Sequence, residues 1–313
     1  MSFKIEKATR VGVTPLIGAY GESGTGKTMS ALLLARGFVG PQGKIILIDT
    51  ENRRGSFYSD VIPGGFDTIH LGEPFSPVRY MEAMQSAEDG GADIIVVDSM
   101  SHEHEGIGGV LDMAADNEQR SGRSGLHNWK TPKMEHAKLM QRLMRSKVPV
   151  ICCIRAKYKT RQVKENGKTA IVKDQFTSPI QAEDFIFEMT AHFEVMPDHT
   201  IHLTKCSHPS LKDCFPEDYK TPINIDHGTS LAKWANGPGF TPAPQKTASA
   251  APADSLTAAK TALWAKYKAQ FGNDSKAFEQ HLKTTDVITP EESLGTMDLN
   301  RLRKVCADMG VAL

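Results

Sequence analysis

Eight residues constrain this chain more than any others. Residues 21–28 read GESGTGKT, between an apolar run, LIGAY (16–20), and a second one, MSALLLARGF (29–38). That pattern predicts strand, loop and helix in this order. Glycines at 21, 24 and 26 let successive backbone N–H groups converge on an anion without Cβ clashes. The following helix turns its positive end toward the same point. Lys27 can neutralise the β- and γ-phosphates of a nucleotide, and the Thr28 hydroxyl can ligate Mg²⁺. Gly21, Glu22, Ser23, Gly24, Thr25, Gly26, Lys27, Thr28 and Met29 are therefore the candidate ATP contacts.

Such a loop belongs at the edge of a parallel sheet, and the sequence supplies one. KIILID (44–49), DIIVVD (93–98) and VPVICCI (148–154) are continuous apolar runs, the form taken by strands buried on both faces. Helical patterns at 27–38, about 76–89, about 104–117 and 132–147 alternate with them, which is the signature of an α/β fold. FEMTAHFEV (187–195) and HTIHLTKC (199–206) flank Met196-Pro-Asp, a plausible hairpin turn, and predict an antiparallel extension of the mainly parallel sheet.

Two strand ends carry carboxylates. Asp98, on a strand expected beside that of the loop, can hold Mg²⁺ together with Thr28. Asp49 and Glu51 end KIILIDTEN, and alternation puts them on one side, at the carboxyl ends where open sheets bind ligands. Either could deprotonate a water for attack on the γ-phosphate, with Glu51 preferred; pairing with Arg53 or Arg54 is the structural alternative.

GESGTGKT, LIDTEN and IIVVDSMS, in this order, resemble the core of RecA-type ATPases. More narrowly, residues 10–235 resemble the phage-encoded RecA-like ATPases of the Sak type, which act in single-strand annealing and recombination. The resemblance implies a P-loop NTPase core with Glu51 as base, Asp98 and Ser99 as metal aspartate and following serine, and Tyr58 against adenine. It implies that Arg155, with Lys27 and Glu51, belongs to the catalytic set, standing where a polar sensor ends the fourth strand. It also implies self-assembly into a filament or ring, with Lys205, Arg53 or Arg54 reaching a neighbour's nucleotide.

Lys+Arg and Asp+Glu are equal at 37 each, so bulk charge points to no partner, but the charges lie in blocks. Residues 81–118 hold ten acids and no Lys or Arg; residues 123–173 hold fourteen Lys or Arg against Glu135 and Glu165. A basic block of this kind is an electrostatic footprint for a polyanion. Its second half, KYKTRQVKENGKTAIVK, predicts two short polar strands around a Glu-Asn-Gly turn. RecA-like proteins place a DNA-binding loop there, so Lys157, Lys159, Arg161, Lys164 and Lys168 are candidate phosphate contacts for single-stranded DNA, and Tyr158 is a candidate to stack on a base. A solvated charged hairpin is the plainer alternative.

Residues 236–254, rich in Pro, Gly, Ala, Ser and Thr, predict a flexible linker between the 1–235 core and a small helical domain over 255–313. That domain is a candidate recruitment module, for a single-strand DNA-binding protein or for further subunits. Apolar runs are too short for a membrane span, MSFKIEKATR lacks a signal-peptide core, and five cysteines make no disulfide framework, so a reduced cytoplasmic protein is expected, in the host cell if phage-encoded. His199, His202, Cys206, His208 and Cys214 match no standard zinc spacing. Two other function classes fit a loop of this kind: a P-loop kinase or helicase loader, and a nucleotide-sensing module with little turnover.

Overall fold

The computed structural model describes residues 12–165, 168–237, 275–284, 289 and 305. The chain divides into two compact units, Met1–Gln245 and Lys246–Leu313. In the second, a helix Ser275–Thr284 is described, where periodicity predicts one over 275–285. The expected linker (beyond Gly237) and the other expected helices of 255–313 lie outside the described residues.

The first unit is built on eight strands: β1 (Leu16–Gly21), β2 (Ile45–Asp49), β3 (Asp67–His70), β4 (Ile94–Asp98), β5 (Val150–Glu165), β6 (Lys168–Pro179), β7 (Ala191–Val195) and β8 (Ile201–Cys206). They run β3-β2-β4-β5-β1-β7-β8 across the sheet, with β6 paired to β5 off this path. The first six in that order are parallel, whereas β8 is antiparallel to β7 and β6 to β5. Contrary to expectation, the strand ending in Asp98 is therefore not beside the loop strand: β5 lies between them, with Gly21 opposite Arg155 and Asp98 opposite Cys153. Inserting β5 brings Arg155, within that strand, to the middle of the site.

Helices cover both faces. In chain order they are α1 (Lys27–Val39), α2 (Pro77–Asp89), α3 (Ser101–Glu105), α4 (Val110–Ser121), α5 (Lys130–Met144), α6 (Pro209–Lys212) and α7 (Ile225–Asn236). The helix expected over 104–117 is broken into α3 and α4, because the chain turns at Gly106, Gly108 and Gly109. Alternation along each strand splits the core in two. Ile48, Val97, Cys152 and Ile154 face Tyr80, Met84, Leu139 and Leu143 of α2 and α5. Leu47, Val96, Ile151 and Cys153 face Leu32, Leu34 and Leu231 of α1 and α7. Burying each such side chain contributes about 1.5–3 kcal/mol. Cys152 and Cys153 are thus core residues on opposite faces, and burial pushes both thiols up, leaving them unreactive.

α1 is buried almost all round, with the sheet on one side and α7 on the other. The two helices meet backbone to backbone: a Cβ at Gly37 would lie 1.9 Å from the Ile225 carbonyl oxygen, and one at Gly228 would lie 2.1 Å from that of Leu34. At the far end of α1, buried Arg36 donates to the carbonyls of Gly40 (2.6 Å), Gly43 (2.9 Å) and Gly65 (2.6 Å), placing a cation at the helix's negative end. Both devices fix α1, whose first turn carries Lys27 and Thr28. Gly228→Ala should cost about 2–3 kcal/mol through overpacking. Urea denaturation of the nucleotide-free protein checks this, and wild-type stability would show that the contact tolerates a methyl group.

Candidate nucleotide site

The loop between β1 and α1 closes on one carbonyl. The Glu22 oxygen accepts from the Thr25 backbone N–H (3.5 Å), the Thr25 hydroxyl (3.0 Å) and the Lys27 ammonium (2.7 Å). Gly24 and Gly26 stand at φ +86° and +94°, which l side chains rarely adopt. Lys27 is buried, which lowers its pKa; the charges of Asp98 and Glu51 oppose this. Its alternative partners on a bound phosphate would be the β- and γ-oxygens.

Asp98 ends β4 beneath the loop. Its Oδ2 accepts from the Thr28 hydroxyl at 2.5 Å. Burial raises its pKa to about 6, with Thr28 and Lys27 pulling the other way. A buried carboxylate and a hydroxyl in contact form a hard oxygen donor set, which suits Mg²⁺. Behind them, Thr50 ties the tips of β2 and β4: its N–H donates to the Asp98 carbonyl (2.8 Å), its Oγ1 accepts from Ser99 N–H (2.8 Å), and His102 Nδ1 lies 2.7 Å from that oxygen. Thr50 and His102 fix the position of Asp98, and nothing local in the sequence marks Thr50 for the task.

Asp49 and Glu51 have separate roles. Asp49 is buried and accepts from the backbone N–H groups of Glu51 (2.7 Å) and Gly55 (2.9 Å), so it shapes the turn after β2. The Glu51 carboxylate turns to the site and is gripped by Arg155, whose Nε donates at 2.8 Å and whose Nη2 donates to the other oxygen. Its ion-pair partner is therefore Arg155, 104 residues away, rather than Arg53 or Arg54. Glu51 in turn raises the Arg155 pKa.

A cleft of 320 Å³ brings together Ser23, Gly24, Lys27, Thr28, Glu51, Tyr58, Asp98 and Arg155, with Arg54 and Phe57 in addition. Tyr58 is partly buried against the core, whereas Phe57, in the same 3-10 turn (Arg54–Tyr58), is 76% exposed. Met29 packs into the core. Lys205 donates to its own chain's Ile186 (3.0 Å) and Phe187 carbonyls. The histidines and cysteines weighed for zinc have other partners, and no group of three metal-binding side chains occurs among the described residues. His202 stacks on Tyr219, His208 caps α6, and the Cys206 thiol donates to the His208 carbonyl. A larger cavity of 460 Å³, lined by Trp129, His136 and Met140, includes no loop residue.

The model of the AAA domain matches residues 15–201, from the start of β1 to the start of β8. The chain belongs to the AAA domain family. Its phosphate loop is thus that of an AAA-type P-loop ATPase, a nucleotide-binding protein whose donor set fits Mg²⁺. No curated protein matches the chain significantly. Among the described residues, no helix is long and apolar enough to cross a membrane.

The ribbon of β5 and β6 leaves the sheet directly after Arg155, pairing from Ala156–Pro179 out to Glu165–Lys168. Lys157 pairs with Glu105 (2.9 Å) and Lys159 with Glu183 (3.3 Å). The side chains of Arg161, Lys164 and Lys168, and residues 166–167 of the Glu-Asn-Gly turn, lie outside the described residues. Part of the acidic block neutralises the basic one within the chain: Glu88 accepts from Arg142 at 3.0 Å.

The raised Asp98 pKa has a definite sign. Folding takes up a proton on this carboxyl between its unfolded value, about 4, and about 6. Stability without metal should therefore fall as pH rises through that window, and Mg²⁺-dependent nucleotide binding should weaken below about pH 6. Asp98→Asn should raise the melting temperature of the nucleotide-free protein at pH 7.5 more than at pH 5, while losing Mg²⁺ dependence. An equal effect at both pH values would mean that Asp98 is ionised without cost.

Proposed function

We propose that this protein is a Mg²⁺-dependent ATPase that binds single-stranded DNA, assembles with itself, and serves phage recombination or strand annealing. One observation carries the reading: the residue that grips the Glu51 carboxylate also begins the basic ribbon. A carboxylate held bidentately by a guanidinium is a poor base, since its lone pairs are engaged. A polyanion on the ribbon that draws Arg155 away would free Glu51 to take a proton from water. Lys27 would hold the phosphates; Thr28 and Asp98 would hold the metal, which supplies charge neutralisation at the transferring group. The fourteen basic residues of 123–173 and the resemblance to Sak-type ATPases support DNA as the polyanion. The exposed pairs of Lys157 and Lys159 with acids are weak and exchangeable for phosphates. Residues 255–313 are the expected recruiter of a single-strand DNA-binding protein, and assembly would bring a neighbour's Lys205, Arg53 or Arg54 to the nucleotide.

Lys27→Ala should abolish hydrolysis. Glu51→Gln should keep nucleotide binding but lower turnover by roughly 10²–10⁴-fold; wild-type turnover would remove Glu51 as base. Arg155→Gln should raise hydrolysis without DNA and shrink its stimulation by single-stranded DNA, measured as phosphate release. A stimulation ratio equal to wild type would sever the ribbon from the base.

Reversing Lys157, Lys159 and Arg161 to Glu should weaken binding of a fluorescent oligonucleotide at least about tenfold and flatten its salt slope by about two. Unchanged affinity would reject the ribbon as the contact.

A further inference from the structure

The turn joining β7 and β8 is folded against the phosphate loop, and His199 makes the contact. Its Nδ1 lies 2.8 Å from the Thr25 carbonyl oxygen. A carbonyl only accepts, so Nδ1 carries the hydrogen and the imidazole donates. His199 adopts φ +69°, a left-handed conformation uncommon outside glycine but several-fold enriched in asparagine, aspartate and histidine. The turn holds it there: His199 N–H donates to the Met196 carbonyl (2.9 Å), and Asp198 Oδ1 accepts from both the N–H (3.1 Å) and the hydroxyl (2.7 Å) of Thr200. The imidazole reaches Thr25 across 174 residues of chain.

The direction of that bond matters. In a trans peptide the C=O and the following N–H point in opposite directions. With the Thr25 carbonyl drawn outward to His199, the Gly26 N–H is aimed to the other side of the peptide, into the loop. Gly26 is also where a side chain would press on the ring, since a Cβ there would meet Nδ1 at 3.1 Å. The Val195 carbonyl, at the end of β7, backs Gly21 in the same way, 2.5 Å from a Cβ built there. β7 and its turn thus form a wall behind both ends of the loop.

We propose that His199 is a positioning residue for the phosphate site, fixing the Thr25–Gly26 peptide so that the Gly26 amide is preset to donate to a phosphate oxygen. The proposal rests on residues 21–28 seating a nucleotide's phosphates. An amide preset in this way binds ground and transition states alike, so its loss acts on affinity and KM with little change in kcat.

Two variants separate the donor from the turn. Asn at 199 tolerates positive φ and places an amide N–H near the position of Nδ1. Gly at 199 keeps the turn and removes the donor. For His199→Gly, the Kd of a fluorescent ADP analogue and the KM for ATP should rise about five- to tenfold, the worth of one hydrogen bond, with kcat within about twofold and the melting temperature unchanged. His199→Asn should stay within about twofold of wild type throughout. In the nucleotide-free protein, hydrogen exchange over 22–28 should quicken in the Gly variant and not in the Asn variant. Wild-type affinity and loop exchange in His199→Gly would overturn the assignment. So would equal losses in both variants with a lowered melting temperature, which would make His199 a turn residue only. If the wild type and Lys27→Ala alike bind no nucleotide, the phosphate reading fails, and the exchange data still decide whether His199 braces the loop.

Discussion

A carboxylate buried at the end of an apolar strand is the constraint around which this domain is arranged. Asp98 lies out of water at the tip of β4, and only Thr28 and Lys27 favour its ionised form appreciably. Everything nearby limits the cost. Thr50 and Tyr80 hold the backbone on either side of Ser99, the loop delivers an ammonium, and α1 is fixed toward its C-terminal end by both the glycine contact and the capping arginine. A buried carboxylate of this kind would bind a cation more tightly than one already solvated, which is the role proposed for it.

The same economy of position explains why Arg155 takes on several roles. Parallel pairing sets it opposite Gly21, and Ser101, at the start of α3, accepts its backbone N–H at 2.8 Å. The segment after Asp98 therefore touches the tip of β4, the arginine on Glu51, and, through Glu105, the first lysine of the ribbon. Below it, Glu103 is fully buried and accepts hydrogen bonds from Gln181 (3.1 Å) and from His136, whose pKa it raises. Both arms of the ribbon are consequently anchored to one short helix.

Much of the core could be read from the sequence. Strands buried on both faces announce themselves as unbroken apolar runs, and β1, β2, β4 and β5 all do so. β3 does not: DTIH is a four-residue edge strand, partly exposed, whose polar sequence carries no periodic signal. The phosphate loop and Asp98 were legible because their chemistry is local. Strand order was not, since apolar runs do not say which neighbours they choose, and so the placement of β5 between β1 and β4 emerged only from the fold. The contacts that tune the site are the least legible. Glu51 with Arg155 and Thr25 with His199 are each joined across more than a hundred residues, and a histidine that donates one hydrogen bond to a carbonyl leaves no pattern for spacing to reveal.

β5 is a strand of sixteen residues that begins in the middle of the sheet and continues past Arg155 to Glu165, with one shift of register against β6 between Tyr158 and Thr160. At 3.3 Å per residue its outer part spans roughly 30 Å. It is built as a cantilever: one end is clamped by neighbours on both sides, and beyond Arg155 it is stiffened by β6. A sideways load far out on such a beam arrives at the clamp as a torque much larger than the same force applied at the root, and the side chain seated at that root is the guanidinium on Glu51.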